Sequence, residues 1–425
     1  MNSEFAKPSL ICDLLIVLPH LGPGGAQKVA LLAADHFIAA GLKVTLVTLL
    51  PGKPLAHEIP DGLIWIDLGQ AVSAACSNRA LNARVWRFVS AWTRRVGALC
   101  FIAVAWPWLK SISPQSYPRF AQWLLASLSG VHASLLRDLL YAVRPPRVLS
   151  LLSKTNLLCC QAFWDLPAHL VVSERNDPRL QRLLFPWNLL QGWLWKRADC
   201  ITANTAGVLD GLKSCFPEYQ NVMQLLPNPL VLEGLSSLED ASQVFHEELG
   251  FLAVCRLVPQ KGIDVLIRAY ASLPKSLRRD WPLTIAGDGP ERPALEKLVN
   301  QLLPSGQVQF LGFHDKPMSL HRSSAVFVLP SRFEGMPNAL LEAMGSGMAV
   351  VVSDASPGPL EVVVDGETGL VFKSQDVHAL SLAMTKLALS QPLRSRLGTA
   401  ASFLMQKQSW DALDHEWRRI LAIDP

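Results

Sequence analysis

Short apolar runs recur along this chain, separated by glycine- or proline-bearing turns and by stretches whose apolar positions repeat at helical spacing. Ile11–Leu18 reads as a buried strand. Pro19-His-Leu-Gly-Pro-Gly-Gly25 is a tight glycine loop, and Ala26–Ala40 is a helix stopped by Gly41. Val44–Leu50 is the next strand, so the chain opens on a strand–helix–strand unit. Further strands are expected at Arg147–Ser153, from His169 toward Glu174, and at Cys200–Asn204. Pro227-Asn-Pro229 breaks the chain, and the polar stretch from about Leu230 to Glu248 reads as a linker. The pattern then restarts. Phe251–Arg256 is a strand, Leu257–Gly262 a turn, and Ile263–Leu273 an amphipathic helix. Strands follow at Leu283–Ala286, Val308–Gly312, Ala325–Pro330 and Ala349–Asp354, with a helix at Glu291–Gln301. Glu361–Phe372 looks like strand–turn–strand, and Asp411–Leu421 like a final helix. Continuous apolar strands alternating with helices predict parallel sheets. The expectation is two doubly wound α/β domains, without an internal sequence repeat.

Composition narrows the function classes. A chain of 425 residues has room for two or three domains. The hydrophobic fraction is 50% and the mean hydropathy is positive, yet no apolar run reaches 18 residues, so no transmembrane helix is expected. Leu10–Leu18 could pass for the apolar core of a signal peptide. Asp13, the lack of a strongly basic start and the glycine turn that follows favour a buried strand. The eight cysteines include the adjacent pair Cys159-Cys160 but no Cys-x-x-Cys, which predicts neither a disulfide framework nor a metal site and suits a reducing cytosol. A net charge of +4 is too mild to imply nucleic acid. Its distribution is uneven. Leu68 to Arg137 contains no Asp or Glu, but holds Arg79, Arg84, Arg87, Arg94, Arg95, Lys110, Arg119 and Arg137, interleaved with Trp86, Trp92, Trp106, Trp108 and Trp123. Basic and Trp-rich composition on an apolar segment is that of an interfacial element for anionic membranes. The competing reading is a helical insertion packed on its own domain. The most apolar piece, Gly97–Leu109, is too short to span a bilayer and is expected to break at Pro107.

Candidate chemistry gathers at turns that follow strands. Gly24 and Gly25 can bring backbone N–H groups close to a bound group at a helix N-terminus. Arg256 at a strand end and Lys261 at a helix start would converge beside aligned N–H groups, which is chemically a diphosphate site. Glu334 falls in the turn after Ala325–Pro330. Glu342 falls about one and a half turns into a helix expected from Pro337 to Gly345 or Gly347. Ionised carboxylates at the carboxyl end of a parallel strand can accept from sugar hydroxyls. Arg175 and Asn176, after the strand that starts at His169, are polar groups suited to a donor sugar or an acceptor phosphate. Glu174 is read mainly as a structural salt-bridge partner, with a nucleophile as the alternative.

The string Ser331-Arg-Phe-Glu-Gly-Met-Pro-Asn-Ala-Leu-Leu-Glu-Ala-Met-Gly-Ser-Gly347 closely resembles the retaining GT-B glycosyltransferases of family 4. Its Pro-Asn-x-Leu-Leu-Glu form, with Ser173-Glu-Arg-Asn-Asp-Pro-Arg179, looks most like bacterial enzymes that extend lipid-linked surface glycans. Arg256-Leu-x-x-Gln-Lys-Gly262 resembles that family's donor-phosphate motif. The resemblance implies a GT-B fold, two Rossmann-like doubly wound domains facing a cleft. The expected division is 1–232 for the acceptor domain, with a basic helical insertion at about 70–140. The nucleotide-sugar domain would be 233–405, and 406–425 a helix crossing back to the first domain. It implies a retaining transfer of a hexose or N-acetylhexosamine from a nucleotide-diphospho-sugar, UDP favoured, to a polyprenyl-diphosphate-linked glycan. Glu334 would be catalytic. Arg256, Lys261, Glu342, Gly24, Gly25, Arg175 and Asn176 would bind substrates. No Asp-x-Asp motif is present, so no metal or other cofactor is expected, the cations taking the metal's place. The expected partners are the donor, the lipid-linked acceptor and an anionic membrane surface, with no nucleic acid. The expected location is cytoplasmic, on the inner face of the plasma membrane. The alternatives are a nucleotide-sugar epimerase of similar architecture and a non-catalytic membrane-associated nucleotide-binding scaffold.

Overall fold

The computed structural model describes residues 12–50, 55–70, 81–111, 127–128, 131–231, 249–314, 320–321 and 325–424. The chain divides into two compact units. The first is formed by the chain up to Ala203, by Gly211–Leu226 and by the chain from His415 on. The second comprises Asn204–Asp210 and Pro227–Asp414.

In the first unit, seven strands form one parallel sheet: β1 (Leu14–Leu18), β2 (Val44–Thr48), β3 (Ile64–Asp67), β4 (Arg147–Leu151), β5 (His169–Glu174), β6 (Cys200–Ala203) and β7 (Met223–Leu225). Their order is β3-β2-β1-β4-β5-β6-β7, which reverses direction beside β1, as in a doubly wound sheet. All five residues of β1 are fully buried, which accounts for its unbroken apolar sequence. Residues of the C-terminal helix Trp410–Leu421 and its end belong to this unit as well. Arg147 Nε donates to the Ala422 carbonyl at 2.6 Å, and His169 Nε2 lies 2.8 Å from that of Ile420.

The second unit repeats the design with β8 (Phe251–Val254), β9 (Leu283–Ala286), β10 (Val308–Gly312), β11 (Val326–Leu329), β12 (Ala349–Ser353) and β13 (Leu370–Phe372). The order is β10-β9-β8-β11-β12-β13, all parallel. Val326 pairs with Phe251, so β11 lies directly against β8 although 75 residues separate the two. The expected class, two Rossmann-like parallel α/β domains, is therefore the observed one.

Three local expectations need correction. Glu361-Val-Val-Val is not a strand. Pro357–Leu360 forms a helical turn, and Val362 and Val363 are buried in the core without strand pairing; only Leu370–Phe372 joins the sheet. The basic segment does not break at Pro107, because the helix Leu81–Ser111 runs through it, with Pro107 itself exposed. The strand expected over Arg147–Ser153 ends at Leu151, and Ser153 already opens the helix Ser153–Ala162. Most of the linker expectation, 232–248, and much of the basic segment, 71–80, 112–126 and 129–130, lie outside the described residues.

Candidate active site

In the second unit, two turns meet at the carboxyl ends of the adjacent strands β8 and β11. The first, Pro259–Lys261, leads through Gly262 into the helix Ile263–Ser272. Gly262 has φ +63°, and a Cβ there would lie 2.1 Å from the Pro330 carbonyl oxygen. Only glycine allows this left-handed turn to press against the end of β11. The second turn runs from Ser331 to Pro337, ahead of the helix Asn338–Gly345. Gly358 packs against it so closely that a Cβ would lie 1.8 Å from the Gly335 carbonyl oxygen.

These approaches bring Lys261 Nζ onto Glu334 Oε1 as a hydrogen-bonded ion pair. The side chains are 14% and 8% exposed, so water screens the pair little. Ser331 Oγ donates to the same Glu334 oxygen at 2.7 Å, and the Glu334 N–H donates to Ser356 Oγ at 2.9 Å. The two turns are stapled beyond this pair. The Arg332 N–H donates to the Gln260 carbonyl at 2.7 Å, and Gln260 Nε2 to that of Phe333 at 2.9 Å. The Arg332 guanidinium grips both carboxylate oxygens of Asp264 at 3.0 and 2.8 Å, a fork-on-fork contact that fixes orientation.

Arg256 is exposed just beyond the end of β8. Burial pushes the neighbouring Cys255 thiol up to about 12, opposed first by the charge of Lys261, with Glu334 and Arg256 also acting on it. Cys255 thus feels all three charged groups. Glu342 is buried in the second turn of the helix Asn338–Gly345. Asn228 Nδ2 ties down the start of that helix, donating to Asn338 Oδ1 at 2.7 Å.

The remaining candidates belong to the first unit. Gly24 caps the helix Gly25–Ala39, whose first turn carries no acidic residue. His20 Nδ1 accepts from the Gly22 N–H at 3.0 Å and shapes the loop ahead of it. Arg175 is buried just beyond β5, and burial holds its guanidinium down to about 10; Asn176, next to it, is half-buried. Glu174 ends β5. Its partners are neutral rather than cationic: Ser153 Oγ at 2.5 Å and Asn156 Nδ2 at 3.0 Å. Burial raises its carboxyl above the ordinary range, against the effect of both hydrogen bonds.

Sequence reasoning missed the residues that hold this geometry: Ser331, Ser356, Gln260, Asp264 and Asn228. Ser331 and Gln260 lie in the two quoted motifs, where no role is assigned to them, and Asn228 lies in the Pro-Asn-Pro break. Ser356 and Asp264 become visible only once β8 and β11 are known to be neighbours.

A basic turn bonded to an acidic turn on adjacent strand ends offers a cation to an anionic ligand and a carboxylate to a hydroxyl-bearing one. Residues 238–402, which lie within the second unit, match the family model described as glycosyl transferases group 1. Among curated relatives, the chain is 29% identical over 251 residues to a Campylobacter jejuni protein. That protein is named N-acetylgalactosamine-N,N'-diacetylbacillosaminyl-diphospho-undecaprenol 4-alpha-N-acetylgalactosaminyltransferase, and the match covers 57% of this chain and 67% of that one. It is 28% identical over 233 residues to the lipopolysaccharide core biosynthesis glycosyltransferase LpsE of Rhizobium meliloti, covering 54% and 66%. The chain spans 59%, 43% and 66% of the lengths of the first three curated relatives. Among solved structures, Anabaena HepE in complex with UDP-glucose superposes with a TM-score of 0.68 at 16% identity, covering 96% of this chain and 99% of that one. At that identity the likeness concerns the fold.

Proposed function

We propose that this protein is a retaining glycosyltransferase. It moves a hexose or N-acetylhexosamine from a nucleotide-diphospho-sugar, UDP favoured, to a polyprenyl-diphosphate-linked glycan. The observation that carries this reading is the Lys261–Glu334 pair. A cation and a carboxylate, both largely shielded from water, stand side by side at the carboxyl ends of β8 and β11. There the cation can meet the donor diphosphate and the carboxylate the donor sugar.

In the proposed mechanism Arg256 and Lys261 bind the diphosphate and counter the charge that grows on it as the glycosidic bond breaks. Glu342 accepts from the ribose hydroxyls. Glu334 hydrogen-bonds the sugar and stabilises positive charge at its anomeric carbon. The acceptor hydroxyl attacks from the face the diphosphate leaves, and a phosphate oxygen takes its proton, so configuration is retained without a covalent enzyme intermediate. The cations stand in for a metal. On the acceptor side, Arg175, Asn176 and the N–H groups at Gly24 and Gly25 bind phosphate or sugar.

The acceptor's lipid places the enzyme on the inner face of the plasma membrane. Exposed Trp92, Arg94, Arg95 and Val104 on the helix Leu81–Ser111 support this part of the reading. No helix among the described residues is long and apolar enough to cross a membrane. Donor turnover is the test. Glu334→Gln and Lys261→Ala should lose transfer while remaining folded; full activity in both variants would remove the site assignment.

A further inference from the structure

The loop that follows Arg175 and Asn176 carries an apolar tip that the fold leaves uncovered. Within six positions Leu180 is 52% exposed, Leu184 82% and Phe185 50%. Single exposed apolar residues are ordinary, but three this close form a patch that needs an occupant.

The patch is held out by structure on both sides. At its start the Leu180 and Gln181 N–H groups donate to the Asp177 carbonyl at 3.0 and 2.9 Å. The buried Asp177 carboxylate accepts from the Arg179 N–H and from its guanidinium. At its end the Trp187 N–H donates to the Leu184 carbonyl at 2.9 Å, and Pro186 is buried. Hydrogen bonds therefore fix both ends of the loop while Leu180, Leu184 and Phe185 face water.

Its charge is one-sided. Pro178 to Ala198 contains no Asp or Glu but holds Arg179, Arg182, Lys196 and Arg197. Arg179 is engaged by Asp177, which leaves the exposed Arg182 as the cation at the tip. Long apolar side chains beside an arginine, without acids, match the boundary of an anionic bilayer, where acyl chains meet phosphates. The helix Leu81–Ser111 of the same unit has a comparable surface in Trp92, Arg94, Arg95 and Val104.

We propose that Leu180–Phe185 is a membrane-inserting loop. Leu180, Leu184 and Phe185 enter the acyl boundary of an anionic bilayer, and Arg182 meets lipid phosphates. This rests on the membrane attachment proposed above and assigns it to a second element, three residues beyond Asp177. Because β5, Arg175, Asn176 and this loop are continuous in the chain, anchoring here holds the proposed acceptor residues at the depth where a lipid-borne diphosphate lies.

The test uses the full chain with vesicles of phosphatidylglycerol and phosphatidylethanolamine, and of phosphatidylcholine alone. Hydrogen exchange across 179–187 should slow on the anionic vesicles. Leu184→Ser/Phe185→Ser should lower the vesicle partition coefficient about tenfold or more, and Arg182→Gln should lower it on the anionic vesicles only. Both variants should keep the nucleotide-dependent thermal shift of the wild type. Unchanged exchange in 179–187, or wild-type partitioning by the double variant, overturns the loop assignment even if the protein floats through its helix. Protection of 179–187 that grows with protein concentration in the absence of vesicles overturns it in favour of a self-association surface. Failure of the wild type to bind either vesicle overturns membrane attachment altogether. It would leave the donor site to be judged by nucleotide binding alone.

Discussion

Glu334→Gln should have opposite effects on nucleotide binding and on transfer. Lys261 and Glu334 are assigned to different parts of the donor, yet they are bonded to each other, so a diphosphate must compete with Glu334 for Lys261. Both side chains are well under one third exposed, and a hydrogen bond to a charged group in such a place contributes about 1.5–3 kcal/mol. Glutamine keeps the volume and can still accept from Ser331, but it removes the opposing charge. If about half of that contact is given up, about 0.8–1.5 kcal/mol, affinity for a nucleoside diphosphate lacking the sugar rises about fourfold to tenfold. Transfer falls in the same variant, by about a hundredfold or more, because the carboxylate facing the anomeric charge is gone. Titration calorimetry with UDP and GDP gives the first quantity, and donor turnover the second. Equal or weaker nucleoside diphosphate binding in Glu334→Gln would refute the competition between donor and carboxylate.

Other perturbations probe the same framework. Lys261→Ala leaves Glu334 shielded without its cation. It should cost about 2–4 kcal/mol in denaturant unfolding, with the Lys261→Ala/Glu334→Gln double variant losing less than the sum. Gly262→Ala forces a Cβ toward the Pro330 carbonyl at a left-handed φ and should destabilise by at least about 2 kcal/mol, with a matching fall in midpoint. Glu174 titrates above its unfolded value, so the folded state holds its proton more tightly. Its ionisation therefore penalises stability progressively as pH rises above the unfolded value of about 4.3. Glu174→Gln should raise the melting temperature at pH 7.5, and the gain should vanish below about pH 4; a gain that persists or grows in acid would contradict the sign. The Cys255 thiol, held near 12, should resist alkylation at pH 8 in the folded protein while the exposed Cys215 reacts, as mass spectrometry of modified peptides can show.

How much of this was legible in the sequence depended on burial. β1, β11 and β12 are covered on both faces, so their sequences are unbroken apolar runs and their bounds were readable to within a few residues. β3 is hard to read because its apolar run, Leu63–Ile66, is only four residues long and forms an edge strand with exposed and half-exposed positions. β7 is only three residues long. Val362–Val364 misled for the opposite reason. Its β-branched residues match a strand, but Pro357 and Pro359 set a helical turn just before it, and core burial there needs no pairing partner. The site was half legible. Glu334 and Glu342 lie on one motif and Arg256 and Lys261 on another, and family resemblance assigned both. Their meeting depends on strand order, which no local spacing records. Glu334 lies 73 residues from Lys261, and only the pairing of β11 with β8 brings them together. The neutral partners of Glu174 are likewise invisible, since Ser153 and Asn156 come from the helix that follows the neighbouring strand β4.

The pair of turns at the ends of β8 and β11 is the centre of this account, and nucleotide-sugar turnover in the Lys261→Ala protein addresses it most directly. The wild-type protein should consume at least one nucleotide sugar from a UDP, GDP and ADP panel, seen by mass spectrometry of released nucleoside diphosphate, and Lys261→Ala should consume it at least about a hundredfold more slowly. Equal consumption by both proteins, or none by the wild type with any donor in the presence of polyprenyl-diphosphate glycans, would contradict the account.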